Sequence, residues 1–301
     1  MFKKVLLILA LGVLCGGPAM AKPRPMIGSE QHKTQEAYNV SAFHTLRVEG
    51  QIEVELEQVS TEAYTVSFTG PYNLAEQAAI TNEEGILSIR YSKPLSVLGD
   101  QHLRVFVTVP DLTQIEAHGG AEIHTHSALN VKKLNITVDG KSEVELDQLQ
   151  VQFLTATVGG EAEVDIRELI CQTLQAKARR NGSFDAQRTD CGEVFIEAAN
   201  RAEISISGLN GKMIIAESRD AAEMELKGRV EKASLTARGH SEIDATGLQA
   251  ENANVTAGRS SHIGVRVAGT LDAQAENRAV VEYKGRPQQI NRTGKGIVKQ
   301  N

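Results

Sequence analysis

The stretch that decides the fold is residues 142–169, which read SEVELDQLQVQFLTATVGGEAEVDIREL. A small residue, a glutamate and a large apolar residue follow one another twice in it, as Ser142-Glu143-Val144 and Ala162-Glu163-Val164. After each triplet, apolar side chains alternate with polar ones, which is typical of a strand with one buried face. Gly159 and Gly160 separate the copies and tolerate the positive φ that a sharp corner needs. The stretch therefore predicts strands joined by a corner.

The same triplet recurs about every 20 residues along most of the chain. Clear and degenerate copies are centred on Glu122, Glu143, Glu163, Ser183, Glu203, Glu223, Glu242, His262 and Val280. A fixed period this short, without the three-and-four spacing of helices, indicates a solenoid in which each repeat is one coil. Each coil is predicted to hold two short strands, a corner and a return, and to pair in parallel with coils about 4.8 Å away. We predict an all-β fold, a right-handed parallel β-helix (solenoid), with the handedness taken from the general preference of parallel crossovers.

The regular register does not cover the whole chain. Residues 43–112 contain alternating strands without the repeat, and we interpret them as irregular first coils and an N-terminal cap, because an open solenoid end exposes unpaired backbone. The regular coils span residues 113–283, and residues 284–301 form the C-terminal end of a domain that runs to about residue 298. Residues 22–42 are polar, contain two prolines, and predict a flexible leader.

The first residues have the pattern of an export signal. Lys3 and Lys4 precede a short apolar run that ends at Leu14, and the small-residue exit Ala19-Met20-Ala21 follows. This order predicts a signal peptide over residues 1–21 and export to the periplasm or cell surface of a bacterium. The run is shorter than the roughly 20 residues of a membrane span, and no other stretch is suited to crossing a membrane. The alternative is a lipoprotein anchored through Cys15, which the bulky Leu14 disfavours.

Composition narrows the class of partner. The net charge is −6, whereas nucleic-acid binding requires a basic surface. Aromatic residues make up 4% of the chain and tryptophan is absent. This is a low content for a carbohydrate-binding surface that stacks sugars on aromatic side chains. A surface glycan and an envelope protein remain as partner classes.

Stacked coils would arrange outward side chains in columns. The densest acidic group in these columns is the acidic square, which consists of Glu143, Glu145, Glu163 and Asp165. Oxygen-only ligands favour Ca²⁺, so the square is a candidate metal site. The alternative is a solvated charged face that keeps the solenoid soluble and prevents lateral sheet association.

Two smaller sets are also candidates. Glu122, His124 and His126 share an outward face and suit Zn²⁺, although exposed histidines are more often only solvated. Cys171 and Cys191 lie one period apart, so stacked coils would bring them within disulfide range. The alternative for the cysteines is two buried free thiols.

Four arginines crowd the degenerate repeat around Asn181. They are Arg179, Arg180, Arg188 and Arg201. An anionic polysaccharide could dock on them through charge-assisted hydrogen bonds. The alternative is that they neutralise flanking carboxylates.

The chain resembles the putative auto-transporter adhesin, head GIN domain family, over about residues 43–298. The resemblance lies in the order of FHTLRVEG at 43–50, GILSI at 85–89, VTVPDL at 107–112, GGAEI at 119–123 and YKGRP at 283–287. It implies an exported β-helix with adhesin-like function, and it supplies no catalytic residues to transfer.

Two functions follow as expectations. The first is an exported, non-enzymatic adhesin-like binding protein or envelope-associated solenoid that needs no cofactor. The second is a β-helix polysaccharide lyase or hydrolase with a Ca²⁺-binding acidic cluster. A lyase also needs a basic residue as proton acceptor, and none stands out beside the acidic square.

Overall fold

The protein is a stack of parallel β coils. The computed structural model describes residues 24–99 and 101–301, so the predicted signal peptide and Cys15 lie outside the described residues. Strands make up 74% of the structure and helix 1%, with about 9 turns of about 20 residues. The predicted all-β parallel solenoid is confirmed. Within the described ranges, no helix has both the length and the apolar character that a membrane crossing requires.

The N-terminal part contains ten strands and one short helix, α1 (Tyr72–Ala75). The strands are β1 (Arg24–Ile27), β2 (His32–Asn39), β3 (Thr45–Glu49), β4 (Ile52–Gln58), β5 (Thr65–Pro71), β6 (Ala78–Glu83), β7 (Ile86–Tyr91), β8 (Leu95–Leu98), β9 (Leu103–Val109) and β10 (Gln114–His118). Longer strands, each bent around its coil, follow in the regular part. These and the last, shorter strands are β11 (Glu122–Asp139), β12 (Glu143–Val158), β13 (Glu163–Arg179), β14 (Ser183–Ala186), β15 (Thr189–Ala199), β16 (Glu203–Arg219), β17 (Glu223–Gly239), β18 (Glu242–Arg259), β19 (His262–Val267), β20 (Thr270–Ala275), β21 (Val280–Gly285), β22 (Gln289–Thr293) and β23 (Ile297–Gln300).

Each regular coil has three faces, which β12 shows most clearly. Residues 143–146 form face 1, residues 148–151 form face 2 and residues 153–158 form face 3. The return predicted between the two strands is itself a strand, because Leu149 and Val151 are buried and pair with the next coil. After face 3, a corner leads the chain to face 1 of the next coil.

The core fills the inside of the tube. The small residue that precedes each central position points inward and is buried, as the alternation predicts for Ala162 and Ser142. Ser142 is polar, and its Oγ accepts hydrogen bonds from the backbone N–H groups of Gly120 (3.0 Å) and Ala121 (3.2 Å). The buried hydroxyl therefore satisfies the backbone of the neighbouring corner.

Equivalent residues of successive coils pair in parallel along the stack. On face 1 the paired column reads Glu122, Glu143, Glu163, Ser183, Glu203, Glu223, Glu242, His262 and Val280. The column continues to Glu53 and Arg104 at one end and to Ile297 at the other. The stack is therefore longer than the repeat visible in the sequence.

The first coils do not stack in chain order. Strand β4 lies between β9 and β11, and β3 lies between β7 and β10. The chain leaves the stack after β4, forms β5, α1 and β6, and returns on the outer side as β7 and β9. This excursion interrupts the register over residues 59–85 and hides these coils from a search for the period.

Antiparallel strands end the stack at its N-terminal side. Strand β6 pairs antiparallel with β7, β5 pairs antiparallel with β9, and β2 pairs antiparallel with β5. The segment predicted as a flexible leader thus contains β2 and also β1, which pairs with β8. Residues of β2 are mostly exposed, so backbone hydrogen bonds along an edge, and not burial, order this polar segment.

Candidate functional site

The acidic square lies on face 1 of two adjacent coils. Glu143 stands opposite Glu163, and Glu145 stands opposite Asp165. Because the intervening Val144 is fully buried, strand alternation turns these carboxyl groups outward. The structure therefore brings together all four residues that the sequence singled out.

The pKa values of two neighbouring carboxyl groups, those of Glu143 and Glu145, are shifted in opposite directions. Burial raises the pKa of Glu143 to about 7, and the carboxylates of Glu145 and Glu163 add to this effect. The hydrogen bond from Glu143, together with His124, lowers the pKa of Glu145. Near neutral pH the pair therefore shares a proton, with Glu143 as donor and the Glu145 carboxylate as acceptor.

The negative potential extends along the column to the next coil. Burial raises the pKa of Asp165, and the carboxylates of Asp185 and Glu145 raise it further. Asp185 stacks on Asp165, and its Oδ1 is the buried side-chain oxygen without a hydrogen-bond partner in the described part of the chain. Carboxylates of three successive coils, those of Glu145, Asp165 and Asp185, therefore stand next to one another in this column.

The two histidines have separate partners. The Nδ1 atom of His124 lies 2.9 Å from Oε2 of Glu145, and the Nε2 atom of His126 lies 2.9 Å from Oε2 of Glu55. Glu145 and Glu55 belong to coils on opposite sides of the histidine strand. Across residues 24–99 and 101–301, no three or more His, Cys, Asp or Glu side chains are grouped to hold a metal ion. The Ca²⁺ and Zn²⁺ sites remain predictions from the sequence, without support from this geometry.

Replacing Glu143 by glutamine is expected to stabilise the protein at alkaline pH. Folded Glu143, with its pKa near 7, holds a proton that the unfolded carboxyl, at its ordinary value of 4.5, releases. The folded state binds more protons between these values, so stability falls as pH rises through that window. Glutamine keeps the donor without the charge. Because the group is partly solvated, we expect Glu143→Gln to raise the free energy of unfolding by only about 1 kcal/mol at pH 8.

Urea denaturation at pH 4 and pH 8 measures this difference. At pH 4 the variant should match the parent protein, because Glu143 is protonated in both states. Glu231→Gln, at an exposed residue of the corner between face 2 and face 3, is the matched control and should change little at either pH. An equal effect of Glu143→Gln at the two pH values would contradict the shared proton.

The cysteines meet on face 2. Cys171 stands opposite Cys191, their Cα atoms are 4.6 Å apart, and the sulfur atoms are at bonding distance. Both side chains are buried. The predicted disulfide would therefore join two adjacent coils from inside the wall of the solenoid.

The four arginines of the degenerate repeat do not form one cluster. Arg188 lies at a different corner, 3.7 Å from Glu168, and Arg180 lies 3.6 Å from Asp139. Arg179 and Arg201 have no carboxylate within 4.0 Å among the described residues. Pairing with nearby carboxylates therefore accounts for Arg180 and Arg188, but not for Arg179 and Arg201.

The three-faced coil and its outward columns define a parallel β-solenoid protein. The chain belongs to the family described as "Putative auto-transporter adhesin, head GIN domain", whose model matches residues 42–207 and 192–287. The resemblance seen in the sequence is therefore confirmed. No curated protein matches the chain.

Solved bacterial structures share this fold at low sequence identity. A putative adhesin from Parabacteroides distasonis aligns with a TM-score of 0.56 at 18% identity, covering 92% of this chain and 100% of its own. A putative adhesin from Parabacteroides merdae gives 0.51 at 17% identity, with 92% and 99% covered. A putative lipid binding protein from Parabacteroides distasonis gives 0.50 at 18% identity, with 92% and 100% covered. At these identities the likeness concerns the fold alone.

Proposed function

We propose that the chain is an exported, non-enzymatic binding protein of the adhesin type, which holds its ligand on the outer surface of the solenoid. The observation that carries the proposal is the chain's membership of this adhesin family. The outward side chains of this chain also stand in columns along the stack. Within each run of three glutamates in the face 1 column, the same side chain recurs about every 4.8 Å, which suits a ligand that is itself repetitive. Several weak contacts to such a ligand act together as one strong attachment.

The shape of the surface supports binding along a face. A groove of about 650 Å³ follows face 2, and its lining includes Val131, Val151 and Gln150. A second concavity, of about 460 Å³, lies beside Phe106 and His126 near the N-terminal coils. Phe106 is 42% exposed, so this second concavity offers an apolar contact near the N-terminal end of face 1. Both suit a ligand lying on the wall more than a small substrate enclosed on all sides.

A surface glycan is the ligand class that we favour. The columns of face 1 present carboxylates, and the corners present guanidinium groups, both of which recognise polar, hydroxyl-rich or charged polymers. One solved structure of similar fold is described as a "putative lipid binding protein", so lipid is the competing ligand class for the test.

Localisation and binding together test the proposal. Fractionation of the native bacterium with protease treatment of intact cells should place the protein in the periplasm or on the surface. The purified protein should then retain acidic or neutral glycans without releasing fragments. Recovery in the cytosol would contradict export, and new reducing or unsaturated sugar ends would contradict a non-enzymatic role. Preferential binding of lipid vesicles would replace glycan by lipid as the ligand class.

A further inference from the structure

One corner of the solenoid carries a row of arginines. It is the corner between face 3 and face 1, and every successive coil from β13 to β20 places at least one arginine there. The members are Arg179, Arg180, Arg201, Arg219, Arg238, Arg259 and Arg278. All of them are exposed. Five coil steps separate Arg180 from Arg278, so this arginine ridge is about 24 Å long.

Most ridge arginines have no acidic partner. Arg180 lies 3.6 Å from Asp139, and for the other members no carboxylate comes within 4.0 Å in the described ranges. This is unexpected in a chain of net charge −6, where a nearby carboxylate is easily found. The guanidinium groups therefore face solvent with their planar sets of donors free for an anion.

The backbone at the ridge is unfavourable for arginine. Arg180, Arg201 and Arg259 have φ values of 66°, 65° and 63°, and Arg278 has 67°. This left-handed region disfavours side chains with a Cβ atom and favours glycine. The same corner of an earlier coil has Gly160, with φ 75°. The fold thus accepts glycine at this corner, and it also accepts Asn200, Asp220 and Ala221 at φ values of 59°, 58° and 68°, so the backbone angles alone do not require arginine.

Acidic columns on both sides limit the width of a ligand. Glu197 and Glu217 flank the ridge on face 3, and Glu203, Glu223 and Glu242 flank it on face 1. A flat anionic membrane or a DNA duplex would approach these carboxylates and be repelled. A narrow polymer can follow the ridge, where the seven arginines outnumber the two carboxylates of the same corners, Asp220 and Glu276.

The chemistry of the ridge distinguishes between narrow polyanions. Single-stranded nucleic acid is usually held by aromatic side chains on which its bases stack. The ridge corners contain no phenylalanine, tyrosine or tryptophan. Carboxylate and sulfate groups, in contrast, match the paired donors of a guanidinium group.

We propose that the arginine ridge binds a linear anionic polysaccharide, whose successive carboxylate or sulfate groups pair with arginines of successive coils. The proposal rests on the proposed function in one respect, which is that the ligand is a glycan. It adds the location of the site and the charge of the polymer.

Binding by the purified protein tests the ridge. Heparin and polygalacturonate serve as sulfated and carboxylated probes, and calorimetry at low and moderate salt measures their affinity. The triple variant Arg201→Gly/Arg259→Gly/Arg278→Gly should fold, because glycine suits those backbone angles, and should melt close to the parent temperature. We expect it to bind at least about tenfold more weakly and with a shallower salt dependence, since three ion pairs with carboxylate or sulfate groups of the polymer are lost.

Two further variants make the test specific. Arg229→Gln/Lys232→Gln/Arg266→Gln removes the same positive charge away from the ridge and should bind within about twofold of the parent protein. Arg219→Gln/Arg238→Gln removes ridge charge without changing glycine content, and it should weaken binding even if the glycine variant is unstable. Unchanged affinity in the folded ridge variants, or an equal loss in the off-ridge variant, would overturn the proposal.

Competing ligands complete the experiment. Vesicles containing phosphatidylglycerol, duplex DNA and single-stranded DNA should bind more weakly than either polysaccharide, and stronger binding to any of them would overturn the ligand class. These measurements use purified protein, so they do not depend on export. Recovery of the protein in the cytosol would refute the proposed function without affecting the polysaccharide-binding result. Unchanged affinity in the ridge variants would refute the ridge proposal without affecting the localisation or the adhesin role.

Discussion

Replacing Phe184 by alanine is expected to lower the free energy of unfolding by about 3–5 kcal/mol. Phe184 is fully buried on the inner side of face 1, where it stacks between Val164 and Ile204 of the adjacent coils. In a solenoid each coil is supported mainly by its two neighbours, so a cavity here weakens both interfaces of the coil. Urea denaturation followed by circular dichroism measures the loss.

The size of Phe184 compensates for a small neighbour. The next inward position of this coil is Ala186, which lies between Ile166 and Ile206. The coil therefore exchanges the usual pair of medium side chains for one large and one small. Phe184→Val/Ala186→Ile restores the pattern of the adjacent coils and should recover much of the stability that Phe184→Val alone loses.

The comparison of these variants tests whether the side chains at positions 184 and 186 fill a common space in the core. A double variant no more stable than Phe184→Val would contradict the compensation. Phe153→Ala is a suitable control, because Phe153 is 49% exposed and its removal leaves no cavity. We expect this control to change stability by about 0.5 kcal/mol or less.

Removing both cysteines is expected to lower the free energy of unfolding by about 3 kcal/mol. Cys171 and Cys191 are 20 residues apart in sequence and stand opposite each other on adjacent coils. A bond between them closes a loop that restricts the unfolded chain. The double variant Cys171→Ala/Cys191→Ala, compared with oxidised parent protein in urea, measures the effect.

Mass spectrometry tests independently whether Cys171 and Cys191 form a disulfide. After denaturation without reductant, the exported parent protein should take up no alkylating label at these two positions, and after reduction it should take up one label at each. Labelling of both thiols before reduction would show that the bridge is absent. In that case the double alanine variant should differ from the parent only by the small packing change.

The regular coils were predictable because a solenoid converts sequence period into spatial register. The triplets around Glu143 and Glu163 differ by one period, and this alone places them opposite each other. Alternation then fixes which side chains are buried, as it does for Val144 and Val164. The same period also places Cys171 opposite Cys191.

Face 2, the order of the first coils and strand β2 could not be predicted from the repeat period. Face 2 has only two inward positions per coil, such as Leu149 and Val151, which is too short for a clear alternating pattern. The position of β9 outside β4 depends on where the excursion returns to the stack. Strand β2 is polar, so composition predicts flexibility, while edge hydrogen bonds decide its structure.

The site was predictable as a set of columns but not in its electrostatics. The stacking of Glu145 and Asp165 follows from the repeat, whereas the proton shared by Glu143 and Glu145 depends on local burial. The sequence indicates crowded arginines only around Asn181, because the residues that mark a sharp corner in a sequence are glycine and asparagine, not arginine. The left-handed backbone at Arg259 and Arg278 is visible only in three dimensions.

Distances between spin labels along face 1 test the stacking of coils most directly. Labels on cysteines introduced at Glu143 and Glu223, four coils apart, should be separated by about 19 Å between backbones, and labels at Glu143 and His262, six coils apart, by about 29 Å. The native cysteines are replaced by alanine so that only the introduced thiols react. We expect the distance to grow in proportion to the number of coils. Distances that do not increase with coil number would show that the repeats do not lie on one axis.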